Sequence, residues 1–507
     1  MSNAFQASAN IRHYGHLIDG RMTPPGDALI DVLNPADASV IARISHASDA
    51  EVDAAVRSAR AAFESKEWGG LSERTRARLI NKLADAFEAN LEEMYHLETL
   101  NNGRPVNETR AQVSRLPDFF RYNAGLTLSR RDAVIPVEGN YLNYTRRTPI
   151  GVVGNSTPFN HPLMIMCKSL GPVFASGCTT VVKPSENTPL TTLRLAEIFV
   201  EAGLPPGVFN VVTGLGPTTG KALASHPDLN KFVLTGGTEA GRIVGGLAGA
   251  NFAHQTLELG GKTPVLVFDD FDLDQAVNYA AFGAFVGAGQ TCICGSRHIV
   301  QDTIYDEFVE KLAAKAATIR IGNPMDPAVQ LGPVISARQQ QRVMRYVDIG
   351  VKEGARLVHG GRIPTDPALA KGFFVEPTVF ADVTPDMQIF QEEVFGPFTS
   401  VTRFSDEAEA IRMANHSPFG LAGAVRTRDV ARAHRVADKL RCGIVWINDH
   451  HRLDPASPWG GVKLSGIGRE CGTESFDAHF DTKSVMVKLG DEPFDWYRDT
   501  AQQRRLN

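Results

Sequence analysis

Apolar residues recur at helical spacing early in the chain, at Val52, Val56, Ala59 and Phe63 and again at Leu79, Leu83, Phe87 and Leu91. That spacing predicts two amphipathic helices, and a third is expected from Glu108 to Tyr122. Turn signals at Asp19-Gly20 and Pro24-Pro25-Gly26 mark a mixed opening segment. From Ile150 to Phe268 the pattern changes to short β-rich runs separated by helical stretches. Gly151–Val153, Thr180–Val182, Phe209–Val212, Lys231–Leu234 and Val265–Phe268 read as buried strands with room for a crossover helix between neighbours. This is the pattern of a parallel, doubly wound α/β sheet.

Beyond Asp272 a second α/β unit continues to about Trp446, followed by a Gly-rich segment from Trp459 to Gly472. Lys483–Lys488 alternates like a last strand, suited to pairing with another chain or with Tyr141–Thr148. The residues Asp499–Asn507 are polar and expected to fray.

At 507 residues the chain calls for two or three packed domains. A net charge of −5 without a basic stripe argues against a nucleic-acid surface. Arg57, Arg60, Arg74, Arg76 and Arg78 alternate with acids on the expected helices and read as solvated. Six cysteines are too sparse for a disulfide framework, and Cys167, Cys178 and Cys442 read as packing residues. No signal segment or long apolar run is visible, so the expected location is the cytoplasm, with no membrane partner.

Candidate chemistry concentrates in two segments. Gly289-Gln290-Thr291-Cys292 supplies a thiol and Glu258-Leu259-Gly260-Gly261-Lys262 a carboxylate, both among small residues that permit close approach. A thiol and a base suffice for covalent catalysis through a thioester. A metal site on Cys292 and Cys294 lacks a second Cys/His pair at ligand spacing, so no metal is expected.

Seven motifs stand in order: Pro158-Phe159-Asn160-His161-Pro162, Lys183-Pro184-Ser185-Glu186, Thr235-Gly236-Gly237-Thr238, the Glu258 and Cys292 segments, Glu392–Pro397, and Pro458–Gly461 running on to Gly468-Arg469-Glu470. Together they resemble the aldehyde dehydrogenase superfamily of the hydrolytic type, from about Gly20 to Leu489. The resemblance implies a Rossmann-like NAD-binding domain (1–125 and 149–269), a second α/β catalytic domain (270–470), and a small oligomerisation β-extension with tail (126–148 and 471–507). It implies Cys292 as nucleophile, the Asn160 side chain as an oxyanion donor, and Glu258 as the base that activates water for thioester hydrolysis.

For the cofactor, the resemblance places Lys183 and Glu186 at the adenosine ribose. A carboxylate there repels a 2′-phosphate, so NAD is preferred, with NADP the alternative. Thr235, Gly236 and Gly237 would face the pyrophosphate; the family usually has Ser where Gly237 stands. Glu393 and Phe395 match the nicotinamide grip. The implied substrate tunnel includes His161, Ile165, Lys168, Thr291, Ile293, Arg452 and Trp459. His161 replaces a common Phe, and Lys168-Ser169 stands where the family often has Trp-Lys. That departure puts in doubt a proton relay through Glu470. A tunnel edged by His161, Lys168 and Arg452 suits an aldehyde with an anionic tail on an aromatic or unsaturated frame.

The expected partners are a small aldehyde and further copies of the chain, as a dimer or tetramer. Two other readings stand beside oxidation to the free acid. One is a coenzyme A-acylating semialdehyde dehydrogenase, whose relatives generally lack the Glu. The other is a catalytically silent homologue acting as a binding protein, which predicts loss of Cys292, Asn160 or Glu258.

Overall fold

The computed structural model describes residues 11–491 and Tyr497. The Asp499–Asn507 tail, and with it the end of the 471–507 segment, lies outside the described residues.

The first large sheet has eight strands, in the order Gly466–Ile467, His254–Glu258, Lys231–Thr235, Val152–Ser156, Thr179–Lys183, Phe209–Val211, Leu17–Ile18 and Arg21–Met22. Its five central strands are parallel. Thr179–Lys183 and Lys231–Thr235 are buried along their whole length, which explains their continuous rather than alternating apolar pattern. Chain order runs outward in both directions from Val152–Ser156 and Lys231–Thr235. Those two neighbours are therefore the switch point, and a crevice opens past their C-terminal ends.

The second sheet has seven strands, ordered Arg356–His359, Thr378–Ala381, Phe398–Phe404, Arg297–Gln301, Pro264–Val267, Ala422–Arg426 and Ile444–Ile447. Only Arg356–His359 runs antiparallel. The run Val265–Phe268, expected in the first sheet, contributes Pro264–Val267 to this one. The reason is chain length. The strand His254–Glu258, not anticipated from sequence, ends the first sheet, and residues 259–263 cannot hold the crossover that a parallel return would need.

Other departures are equally local. The helix expected from Glu108 to Tyr122 is two helices, Val106–Val113 and Pro117–Thr127, because Pro117 cannot donate to a preceding turn but starts a new one well. Arg76, expected to be solvated, is buried; its guanidinium lies 5.6 Å from the Trp68 ring centroid and donates to the Leu71 carbonyl. The expected last strand forms as Phe480–Lys488. It pairs antiparallel within the chain with Tyr141–Pro149, which in turn pairs with Val134–Ile135.

Gly466 ties the first sheet to the Gly-rich segment, pairing with Glu258 at a φ of +132°. A Cβ there would lie 1.8 Å from the Leu257 carbonyl oxygen. Gly466→Ala should therefore destabilise the protein by roughly 2 kcal/mol or more in urea denaturation. A midpoint within error of wild type would contradict this.

Candidate active site

The segment carrying Cys292 is delivered by a sharp turn. After the helix Leu273–Phe285, the residues Gly287, Ala288 and Gly289 all adopt left-handed φ values of 62°, 54° and 66°. Ala288 holds this conformation without glycine's freedom, a local cost that marks functional backbone. Gly289 is required by space as well, since a Cβ would meet the Gly396 carbonyl oxygen at 1.9 Å. Gln290 locks the turn by accepting from the Ile335 N–H at 3.0 Å, and Cys294 N–H donates to the Thr291 carbonyl.

The Glu258 segment meets this turn through its glycines. A Cβ on Gly261 would lie 2.2 Å from the Cys292 carbonyl oxygen, and one on Gly260 would lie 2.6 Å from the Glu393 carboxylate. The Glu393 carboxylate also accepts from the Gly261 N–H at 3.0 Å. Glu258, Cys292 and Glu393 are thus assembled by one glycine pair. From the first sheet, Asn160 follows the strand Val152–Ser156 and donates its side-chain amide to the Gln290 carbonyl at 2.8 Å. Its own Oδ1 is buried without a hydrogen-bond partner among the described residues.

Burial dominates the electrostatics. It pushes the Cys292 thiol up to about 12; Lys168 opposes that, and the carboxylates of Glu393 and Glu258 add to it. Burial likewise lifts Glu258 well above the ordinary carboxylate range, with Lys168 opposing and Glu470 reinforcing. Glu258 Oε1 is fully buried and accepts no hydrogen bond among the described residues, and a Cβ on Gly460 would press against it at 2.7 Å. Burial alone would depress Lys168, but Glu470 and Glu258 outweigh it and hold its ammonium charged.

Lys168 does not stand free. It forms a buried ion pair with Glu470, whose other oxygen accepts from Ser169 Oγ at 2.9 Å. Its Nζ also lies 5.5 Å from the centroid of the Trp459 ring. Trp459 and Glu470 exchange two backbone hydrogen bonds of 2.7 Å, which fixes this corner.

The dinucleotide candidates line the crevice at the switch point. Buried Lys183 donates to the Pro184 and Gly214 carbonyls, with Glu186 3.8 Å away. Thr235 and Thr157, at the ends of the two switch-point strands, have buried hydroxyls without partners among the described residues. Gly236 follows, and Gly237 caps the helix Thr238–Ala250 with no side-chain bond to its first turn. A Cβ on Gly237 would meet nothing within 4 Å, so that helix end is open. Phe395 packs edge-on to Phe159 at 5.7 Å, and burial pushes Glu393 up to about 7. Together with Gly261, Gly289 and Thr291, Glu393 and Phe395 line a small cleft. Orphaned hydroxyls, an open helix N-terminus and a cleft beside Cys292 fit a dinucleotide.

Of the tunnel candidates, His161, Ile165, Thr291, Ile293 and Trp459 are buried, whereas Arg452 is exposed. His161 is held by Gln112 Oε1 at 3.1 Å, and that oxygen also accepts from Arg104. Burial and the Arg104 charge keep the His161 ring neutral, well below the ordinary histidine range. Arg104 and Gln112 were not anticipated. Nor was Glu108, which lies 3.5 Å from Arg104 and accepts from the Gly287 N–H. The one available signal was the polar run Asn101–Arg104, buried in the structure although it carries no apolar periodicity.

Glu258 has a raised folded-state pKa, so its contribution to stability is present at low pH and is lost as pH rises toward that value. Glu258→Gln removes this loss. The variant should melt at a higher temperature than wild type at pH 8, with the gap closing toward pH 4. A constant difference across that range would refute the burial argument.

The geometry can be set beside known proteins. Residues 22–485 match the aldehyde dehydrogenase family. An aldehyde dehydrogenase of Emericella nidulans is 42% identical over 91% of this chain and 92% of its own length. The crystal structure of PnpE from Pseudomonas sp. WBC-3 is 43% identical, with a TM-score of 0.93, covering 96% of this chain and all of that one. An aldehyde dehydrogenase of Bacillus cereus solved as an NAD+ complex is 41% identical, with a TM-score of 0.92 over 94% of this chain and 97% of that one. This chain belongs to the aldehyde dehydrogenase family.

Proposed function

We propose that this enzyme oxidises an aldehyde to the free carboxylic acid with NAD, using Cys292 as nucleophile, Asn160 as oxyanion donor and Glu258 as base. The observation that carries this reading is the packing of the Glu258-to-Lys262 segment onto the Cys292 turn, with the Asn160 amide at the adjoining peptide. Lys183, Glu186, Thr235, Gly236, Gly237, Glu393 and Phe395 would hold the dinucleotide, which when bound supplies the acceptor for the aldehyde hydride.

The chain's own residues do the rest. Burial favours the protonated thiol, so its proton must pass to water as sulfur attacks the carbonyl carbon, which leaves Glu258 free for the later hydrolysis. The Asn160 amide and the Cys292 N–H stabilise the resulting oxyanion. Hydride loss leaves a thioester on Cys292. Glu258 then draws a proton from water, the hydroxide attacks, and the acid departs as the thiolate is released. Lys168 and Glu470, adjoining Glu258, provide the polar exit for that proton, with Lys168 standing in for the lysine that Ser169 replaces.

Residues 1–125 and 149–269 would serve the cofactor, 270–470 the chemistry, and 126–148 with 471–507 assembly into a homo-oligomer. The exit of the chain at Glu258 moves the strand after it into the catalytic half. Among the described residues no helix is long and apolar enough to cross a membrane.

Glu258→Gln should keep a fast first turnover of NADH while steady-state turnover falls about 100-fold or more, and Cys292→Ala should abolish both. Equal loss of burst and turnover in the glutamine variant would remove Glu258 as the hydrolytic base. Formation of a thioester only when coenzyme A is present would favour the acylating alternative.

For the substrate, the Lys168–Glu470 pair takes Lys168 out of play as a free cation. An anionic tail on an aromatic frame would meet Trp459 in the tunnel and the exposed Arg452 at its mouth. Arg452→Ala should lower kcat/KM for carboxylated aldehydes about tenfold, with little change for neutral ones of the same size. Equal values for both classes in the unaltered enzyme would end the anionic-tail reading.

A further inference from the structure

The loop Asn448–Arg452 grips the Cys292 segment at two points. His450 Nε2 lies 3.1 Å from the Ile293 carbonyl oxygen, and His451 Nε2 lies 3.3 Å from the Gly283 carbonyl oxygen. A carbonyl only accepts, so both rings carry hydrogen on Nε2. The two bonds fall on either side of the left-handed turn Gly287–Gly289, so consecutive histidines span the bend that presents the thiol.

The His450 ring has no room to move. A Cβ on Gly283 would lie 3.0 Å from it and one on Gly295 3.4 Å, while Trp446 packs at 5.0 Å between ring centroids. The loop behind it is rigid as well. Asn448 and His451 hold left-handed φ values of 56° and 59°, a conformation kept only where surroundings enforce it. Arg426 donates to the Asp449 carbonyl at 2.7 Å, Trp446 donates to the Arg452 carbonyl at 3.0 Å, and Asn448 brackets Thr427 with two bonds.

Ile293 joins the two sides of this arrangement. Its carbonyl receives His450, and its N–H is the first peptide donor after Cys292, opposing the burial that raises the thiol. We propose that His450 is a positioning residue for Cys292, holding the Ile293 peptide that directly follows it. This rests on the reading of Cys292 as the nucleophile. A fixed donor at the sulfur favours the thiolate, the form that attacks. The charged and titratable groups around the pair are Arg426, His298 and His451 near His450, and Lys168, Glu393 and Glu258 near Cys292. Burial, with His451 and Arg426 beside it, keeps His450 well below the ordinary histidine range, so the ring donates without carrying charge.

The test is the iodoacetamide alkylation rate of Cys292 in the full-length enzyme, followed by mass spectrometry of its peptide across a pH series, together with the NADH burst. His450→Phe keeps a ring but loses the donor. Alkylation should slow about tenfold at every pH below the midpoint, the equivalent of about one pH unit, and the burst should slow about tenfold or more. The KM for NAD should stay within about twofold of wild type. His450→Gln, whose amide reaches close to the Nε2 position, should recover most of both rates. An unchanged alkylation profile in His450→Phe, or a glutamine variant as impaired as the phenylalanine one, would overturn the proposal. If His450→Phe does not fold, the glutamine variant decides, since a shifted profile there overturns it and a wild-type profile upholds it. Failure of the unaltered enzyme to form NADH from any aldehyde would instead sink the reaction assignment, and the alkylation measurement would still judge His450.

Discussion

The contact of Gly261 with the Cys292 carbonyl, where a Cβ would sit at 2.2 Å, is what every other feature of the site depends on. The chain leaves the first sheet at Glu258 and enters the second at Pro264, so residues 259–263 are the strap between two cores. Any side chain at position 261 would drive the strap off the thiol turn and separate the base from the sulfur. Gly289 repeats the arrangement on the far side of the turn, against Gly396. Backbone packed on backbone is stiff, because no rotamer can yield, and such stiffness is what preorganisation needs.

That rigid frame holds charges in an unfavourable state. Glu258 is buried with an oxygen that accepts no hydrogen bond among the described residues, and the nearby cation, Lys168, is paired with Glu470. Burial raises the proton affinity of both Glu258 and the thiol; Lys168 opposes it in each, while Glu470 adds to it at Glu258 and Glu393 at the thiol. The arrangement costs stability and leaves Glu258 a stronger base than an exposed carboxylate. A fully matched pair at Glu258 would hold its carboxylate too acidic to draw a proton from water.

Much of this was legible in the sequence because motif glycines report close approach directly. Gly260, Gly261 and Gly289 each face a backbone or carboxylate oxygen, the close approach expected of the small residues around Glu258 and Cys292; Gly460 does the same without having been expected to. The fully apolar strands were legible for the same reason that they are buried on both faces. Three things were not. The sheet to which Val265–Phe268 belongs depends on a strand, His254–Glu258, whose polar start His-Gln-Thr hides it. Pro117 splits a helix whose apolar spacing runs on through the break. The partners of Arg104 and Lys168 come from segments far apart in the chain, and no periodicity encodes which acid a buried cation will meet.

Those unforeseen pairings bear on selectivity. Arg104 is engaged by Gln112 and lies near Glu98 and Glu108, His161 is neutral and tied to the same Gln112, and Lys168 is matched by Glu470. The basic side chains nearest the tunnel interior, Arg104, His161 and Lys168, thus each already have a protein partner. A charged substrate tail would have to break one of these bonds and leave a buried group unpaired, which costs more than a new contact returns. On the proposed reading, the inner tunnel would sort substrates by shape against Trp459, Ile165 and Ile293. Discrimination by charge would then fall to a solvated cation such as the exposed Arg452.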